Sequence, residues 1–244
     1  MKITQLITIV IPSYNEERYI YNTLWKISRQ RFIGSLEVII ADGNSTDDTL
    51  NFIKKASEDF KNLSIKVIKG GKVGYGRNQG AKIVTTPYIL FMDADSILIE
   101  QDILMESLKY LETHEIISVK QKSITPEDRK STYTYKILDW IRKIMPITFC
   151  TGCFFLISKD KFDELGGFDE TLQNSEDFWL SKKVKTSKFK ILDKHIGQDN
   201  RRFLKIGYWG FLKLNILNYI NFWNIKWFKP VSYTHLTLPT KRIV

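Results

Sequence analysis

The sequence is short of cysteine, short of acid at one end and short of apolar runs long enough to span a membrane. Only Cys150 and Cys153 are present, and two cysteines neither build a disulfide framework nor complete a tetrahedral zinc site. Their CTGC spacing imitates a redox motif. The flanking ITF and FFLI runs read as a buried strand, however, so the thiols are expected to be structural. No acidic residue follows Asp199, whereas Arg201, Arg202, Lys205, Lys213, Lys226, Lys229, Lys241 and Arg242 all do. The formal charge of +10 over 244 residues therefore belongs mainly to the C-terminal end. A face of that kind can meet anionic lipid headgroups, a phosphorylated substrate or nucleic acid, and it can equally be a solvated surface. We expect no nucleic-acid partner. A signal peptide is not expected, because Met1 to Gln5 lead into a short apolar run that ends at Pro12 without a small-residue cleavage site. The expectation is a cytoplasmic protein, peripheral on the inner face of the membrane if its basic end meets lipid.

What is present is a regular change of hydrophobic period. Short β-branched runs, ITIVIP, LEVIIA, IKVIK and YILFMD, alternate with amphipathic stretches near 16–29, 47–59 and 74–84. That alternation marks βαβ units and an α/β fold with a mainly parallel central sheet flanked by helices. Ser45 and Asp48 have capping-box spacing and are expected to open the second helix. Ligands of open α/β sheets bind beyond the carboxyl ends of the strands, which places 12–16, 42–47 and 93–96 on one rim.

Asp93 and Asp95 directly follow the run YILFM, so two carboxylates stand where the chain leaves a buried strand. Hard oxygen donors of this kind suit Mg2+ or Mn2+, although a solvated turn with an Asp cap needs the same residues. The glycine-rich stretch GGKVGYGRNQG lacks the terminal Gly-Lys-Ser/Thr of a P-loop and does not follow the first strand, so both dinucleotide and P-loop readings fail.

Taken together, IVIPSYNEE, IIADGNSTDDT, GRNQGAKIVTTPYILFMDADS, GGFDE and SEDFW, in that order over about residues 6–203, resemble family 2 glycosyltransferases of the GT-A fold. The resemblance implies an inverting, metal-dependent transfer of a sugar from a nucleoside-diphosphate sugar to an acceptor hydroxyl. It implies donor contacts from Pro12, Tyr14, Glu16 and Asp42, with Tyr14 beside the base and Asp42 accepting from it. Many such chains carry two adjacent acids at that second strand end, whereas Ala41 precedes the single Asp42 here. Arg77 and Asn78 would open the helix that approaches the donor, and Asp93 with Asp95 would hold the cation. In the acidic SEDFW element Asp177 is assigned as the catalytic base, with Glu176 as runner-up, because inversion needs one carboxylate to take the acceptor proton. Arg201 and Arg202 would clamp the diphosphate. They sit in a stretch similar to the Gln-x-x-Arg-Trp element of processive synthases, but Arg202 replaces the Trp, which argues against processivity. His195 is an added candidate metal ligand, set against the plainer reading of a histidine in a basic loop.

The domain reading is a catalytic domain over 1–203, with a nucleotide half to about 115 and an acceptor half from 116. An aromatic and basic extension follows over 204–230, too polar to span a bilayer and rich in the Trp and Tyr of interfaces. Its acceptor is unknown, with a lipid-linked one suggested by that extension. Residues 231–244 resemble translated sequencing-adapter read-through and are expected to be a non-native tail. Two other functions fit parts of the pattern. DADS after an apolar strand suits a haloacid-dehalogenase-type phosphatase, but that fold places its DxD on the earliest strand. A non-catalytic membrane-surface protein with a transferase fold would have no need of Asp42, Asp93, Asp95 and Asp177 together.

Overall fold

The computed structural model describes residues 6–32, 34–125, 129–172, 174–199, 201, 207–210 and, singly, 213, 217, 220, 221, 224 and 229. The four strand runs of the first half form β1 (Ile7–Ser13), β2 (Leu36–Asp42), β3 (Leu63–Lys69) and β4 (Tyr88–Phe91). Their pairings are all parallel, in the order β3-β2-β1-β4. Strands β1 and β2 are buried almost throughout, as expected where helices cover both faces of a parallel sheet. One core cluster runs through Ile9, Ile11, Val38 and Leu90, the other through Val10, Ile39, Ile89 and Phe91, so alternate residues of each strand feed opposite layers.

The intervening helices are α1 (Ile20–Ser28), α2 (Thr49–Asp59) and α3 (Val73–Lys82). Helix α1 starts later than the periodicity suggests, because Asn15 takes a left-handed φ of 54° and Glu16 O accepts the amides of Tyr19 and Ile20 at 3.0 Å each. The capping-box expectation is corrected. Ser45 Oγ donates to Asp42 Oδ1 at 2.6 Å and accepts from Asn15 N at 2.9 Å, and the N-cap Asp48 makes no side-chain cap bond. Ser45 thus ties two strand ends together instead of starting α2.

The second half adds β5 (Ser96–Leu98), α4 (Ile103–Leu108), β6 (Ile116–Ser123), α5 (Arg129–Ile144), β7 (Phe155–Ser158), α6 (Lys159–Glu164), α7 (Glu176–Ser181) and β8 (Phe189–Gln198). These strands extend the order to β3-β2-β1-β4-β7-β6-β8-β5 and make the sheet mixed, with β7 antiparallel to both β4 and β6. A flat sheet would put β5 about 19 Å from β4, four strand spacings away. The chain between them is a turn closed by Ser96 N donating to Asp93 O at 3.2 Å. The β6-β8-β5 flank must therefore curl over the carboxyl end of β4, and Asp93 to Asp95 lie in that fold. Residues 121–123 end β6, and 129–143 make up most of α5. The proposed extension over 204–230 is described at only a few positions, and the tail 231–244 lies outside the described residues.

Candidate active site

The first part of the site is the seam between the carboxyl ends of β1 and β2. Asp42, buried at the last position of β2, accepts from Asn44 N at 3.0 Å, Ser45 N at 2.9 Å and Ser45 Oγ. Its neighbour across the seam, Ser13, carries a buried hydroxyl with no hydrogen-bond partner among the described residues. Tyr14 stands out from this seam, 59% exposed, and Pro12 packs toward α3, where Gly76 faces Pro12 and Ala41.

The second part is the Asp93 turn and the start of α7, joined by one arginine. Arg77 on α3 is 2% exposed. Its Nη2 donates to Asp93 Oδ1 at 2.6 Å and its Nη1 donates to Glu176, while its plane sits 5.3 Å from the Phe168 ring. Its Nε is buried without a hydrogen-bond partner among the described residues. The space for this guanidinium is made by Gly152, where a Cβ would run into it. The Gly152 amide in turn donates to Asp177 Oδ2 at 2.5 Å, and Phe178 N donates to Asp177 Oδ1 at 2.7 Å. Burial, reinforced by the adjacent Glu176 charge and opposed by Arg77, pushes the Asp177 carboxyl up to about 7. A carboxylate raised that far is poised to take and release a proton near neutrality.

The third part is Arg201, whose guanidinium bridges Glu16 at 2.8 and 3.0 Å and Asp95 at 2.6 Å. It also lies 4.9 Å from the Tyr19 ring. Burial and the nearby Asp199 push the Tyr19 hydroxyl up. Two arginines thus face five carboxylates, Glu16, Asp93, Asp95, Glu176 and Asp177, and the rim carries excess negative charge when these ionise.

Asp93 and Asp95 are the residues that fit a divalent cation. Each already attracts a guanidinium, so the position favours positive charge, and both offer hard oxygen. Among the described residues no set of three or more His, Cys, Asp or Glu gathers around a metal position. A cation held by one or two carboxylates and completed by phosphate oxygens and water needs only this much from the protein.

Several candidates fall elsewhere. Asn78 is committed to the turn before α7: its Nδ2 donates to Phe168 O at 2.9 Å and Glu170 Oε1 at 2.8 Å, and its Oδ1 accepts from Phe168 N at 3.0 Å. Arg77 is internal and paired with two carboxylates, Asp93 and Glu176. His195 is gripped by Glu100, Nδ1 against Oε1 at 2.8 Å and its amide on Oε2 at 2.8 Å. It lies three residues along β8 from Gln198, the partner of Ser96, about 10 Å at strand rise, so it does not join Asp95. Arg202 lies outside the described residues. Cys150 and Cys153 are buried and unpaired with each other, and burial pushes both thiols up to about 12, in keeping with a structural role. The sequence reading had Gly152 and Phe168 only as parts of CTGC and GGFDE, and it missed Tyr19, whose aromatic type carries no positional signal.

A family model described as glycosyl transferase family 2 matches residues 8–166. Over 112 residues the chain is 30% identical to the uncharacterized glycosyltransferase YfnE of Bacillus subtilis (strain 168), covering 46% of this chain and 28% of that protein. The structure resembles S. aureus TarS 1-349, crystallised with UDP-GlcNAc, at a TM-score of 0.63 and 21% identity, covering 80% of this chain and 59% of that one. It resembles the mannosyltransferase PcManGT of Pyrobaculum calidifontis, in complex with GDP-Man and Mn2+, at a TM-score of 0.63 and 21% identity, covering 78% and 54%. The chain therefore spans about a quarter of one such relative and little more than half of the others, and at these identities the structural likenesses speak for the GT-A fold.

Proposed function

The chain belongs to glycosyl transferase family 2, and from that premise we propose that it moves a sugar from a nucleoside-diphosphate sugar to an acceptor hydroxyl with inversion. The observation that carries the proposal is the Arg77 bridge, which sets the carboxylate turn after β4 beside the acidic start of α7. Two carboxylate sites with different duties then face one rim. Asp177, raised by burial, takes the proton of the acceptor hydroxyl as its oxygen attacks. Glu176 is held by Arg77 and serves to orient the pair. Asp42 and the seam beside Tyr14 receive the base, and Pro12 and Glu16 border the ribose. Arg201, now across Glu16 and Asp95, is positioned to turn to the diphosphate when the donor arrives, with Arg202 beside it in sequence.

A divalent cation, Mg2+ or Mn2+, held by Asp93 and Asp95 would neutralise the charge that builds on the departing diphosphate. The relatives crystallised with UDP-GlcNAc and with GDP-Man and Mn2+ support a nucleotide-sugar donor and a cation of this class. A donor-binding half to about 115 and an acceptor-facing half from 116 complete the reading, supported by the all-parallel order of β1 to β4 in the first half. Among the described residues no helix is long and apolar enough to cross a membrane. The basic C-terminal end supports a peripheral position at the cytoplasmic face and a membrane-proximal, lipid-linked acceptor.

The test is release of nucleoside diphosphate from a panel of sugar nucleotides, with Mn2+ and with chelator. Release by the wild type that chelator abolishes is the expected result. Asp95→Asn should lose both turnover and cation-dependent donor binding, whereas Asp177→Asn should lose turnover by a factor on the order of 10²–10⁴ and keep donor binding. Full turnover in Asp177→Asn would remove it as the base.

A further inference from the structure

Helix α5 has an ion pair inside and apolar groups outside. Its inward side carries Asp139 and Arg142, 6% and 3% exposed, beside Tyr135 and Leu138. Arg142 donates to Asp139 at 3.0 Å, Ser118 Oγ at 2.6 Å, Val119 O at 3.3 Å and Phe149 O at 3.1 Å, and Asp139 accepts from Gln121 N at 3.0 Å. These bonds serve β6 where its ladder with β8 is irregular between Val119 and Lys120. The outward side, by contrast, presents Tyr133, Ile137, Trp140 and Ile144, between 47% and 63% exposed. At 3.6 residues per turn these four fall within about 60° of one another, in a stripe about 16 Å long. An ordinary surface helix turns such a stripe to the core.

The other exposed side chains described on α5 are Lys130, Lys136 and Lys143. They stand roughly 60–80° to either side of the stripe, and no acid is exposed among the described side chains of α5 itself. An exposed acid that interacts with them is Asp193 of β8, beside Lys143. Lysines on both flanks of an aromatic and aliphatic stripe are the arrangement of a helix lying in a lipid–water interface, where ring and aliphatic groups enter the acyl boundary and the ammonium groups reach the headgroups. A second copy of the chain fits less well, because a self-pairing of this helix would set three lysines against three lysines with no exposed carboxylate among the described side chains of α5. The C-terminal aromatic segment also begins here: Tyr208 packs on Tyr135 and Leu138, and the next residue, Trp209, is 83% exposed.

We propose that α5 is a membrane-docking surface that seats the protein on an anionic lipid bilayer through Tyr133, Ile137, Trp140 and Ile144. It deepens the reading of a membrane-proximal transferase by naming the surface. The end of α5 leads through 145–152 to Gly152 and hence to Asp177, so docking there would set the proton-accepting side of the rim near the lipid headgroups.

The experiment is cosedimentation of the full chain with phosphatidylcholine vesicles and with phosphatidylcholine vesicles containing 30% phosphatidylglycerol, with no donor present. Binding is therefore read independently of any sugar transfer. The wild type should partition onto the anionic vesicles, and less so at 0.5 M salt. Ile137→Glu/Trp140→Glu should lower that partition about tenfold or more, with melting temperature and nucleoside-diphosphate release on soluble donor unchanged. A Lys130→Gln/Lys136→Gln/Lys143→Gln variant should lose the preference for anionic over neutral vesicles. Undiminished binding by the double Glu variant would assign the membrane contact elsewhere and overturn the proposal. So would failure of the wild type to bind, or a dimer in sedimentation equilibrium that the double Glu variant dissociates.

Discussion

Arg77 is the residue on which the site turns, and its neighbours explain why an arginine can be buried there. Two carboxylates share its charge, the Phe168 ring covers it, and Gly152 leaves it room. A lysine could not serve both carboxylates with the same forked geometry. Gly152→Ala forces the guanidinium away while leaving the amide that serves Asp177. Because Arg77 holds the Asp177 pKa down against burial, moving it lets that pKa rise. A base is active when deprotonated, so transfer by the wild type should climb with pH through about 7. In Gly152→Ala that acidic limb should move to higher pH, as read from kcat/KM profiles. A limb left in place would detach Arg77 from Asp177.

At the scale of elements, the α3 and α5 helices show how polar chemistry is spent inside the molecule. Helix α3 reaches β1 through Gly80, where a Cβ would collide with Val10, and this close seat carries Arg77 to the strand ends. Helix α5 spends Arg142 and Asp139 on the backbone of β6. Breaking a buried pair from one side leaves an uncompensated charge, so Arg142→Met should destabilise the fold by about 3–5 kcal/mol in urea titrations at pH 8. Burial already raises the Asp139 pKa while Arg142 lowers it. Without Arg142 the folded-state pKa rises further, and the lost stability is the part that appears as pH climbs above the unfolded carboxylate value. The deficit should therefore be smaller at pH 5. The periodicity showed β1 to β4 and α1 to α3 because each is a run of one period bounded by turn residues. It hid α5, since a helix with lysines and aromatics outside, and an ion pair beside only Tyr135 and Leu138 inside, shows no single apolar face in its sequence.

For the whole molecule, the order β3-β2-β1-β4-β7-β6-β8-β5 decides what meets at the rim. Arg77 finds Glu176 across 99 residues of chain and Arg201 finds Glu16 across 185. A ligand gripped by groups this far apart couples to global unfolding. A nucleoside diphosphate at a hundred times its Kd should add about 2.7 kcal/mol of stability, or roughly 5–10 °C in Tm for a chain of this size. Thermal melts with nucleoside diphosphates and Mn2+, together and apart, should give that shift only for the pair. No shift with any nucleotide would count against a diphosphate site at this rim.

What the sequence determined by itself is local. Strand and helix periods, the glycine turns and the order of the motifs depend on neighbours a few residues apart, and they were enough for the α/β class, the family resemblance and the nomination of Asp93, Asp95 and Asp177. What only the tertiary structure decided is which charges face which. Arg77 became a buried bridge, Asn78 a turn fastener, His195 a partner of Glu100, and Gly152 the space that makes the bridge possible. The physical reason is that ion pairing and burial are set by distance through space. That distance follows from strand order and the curl of the sheet, which no window of sequence contains.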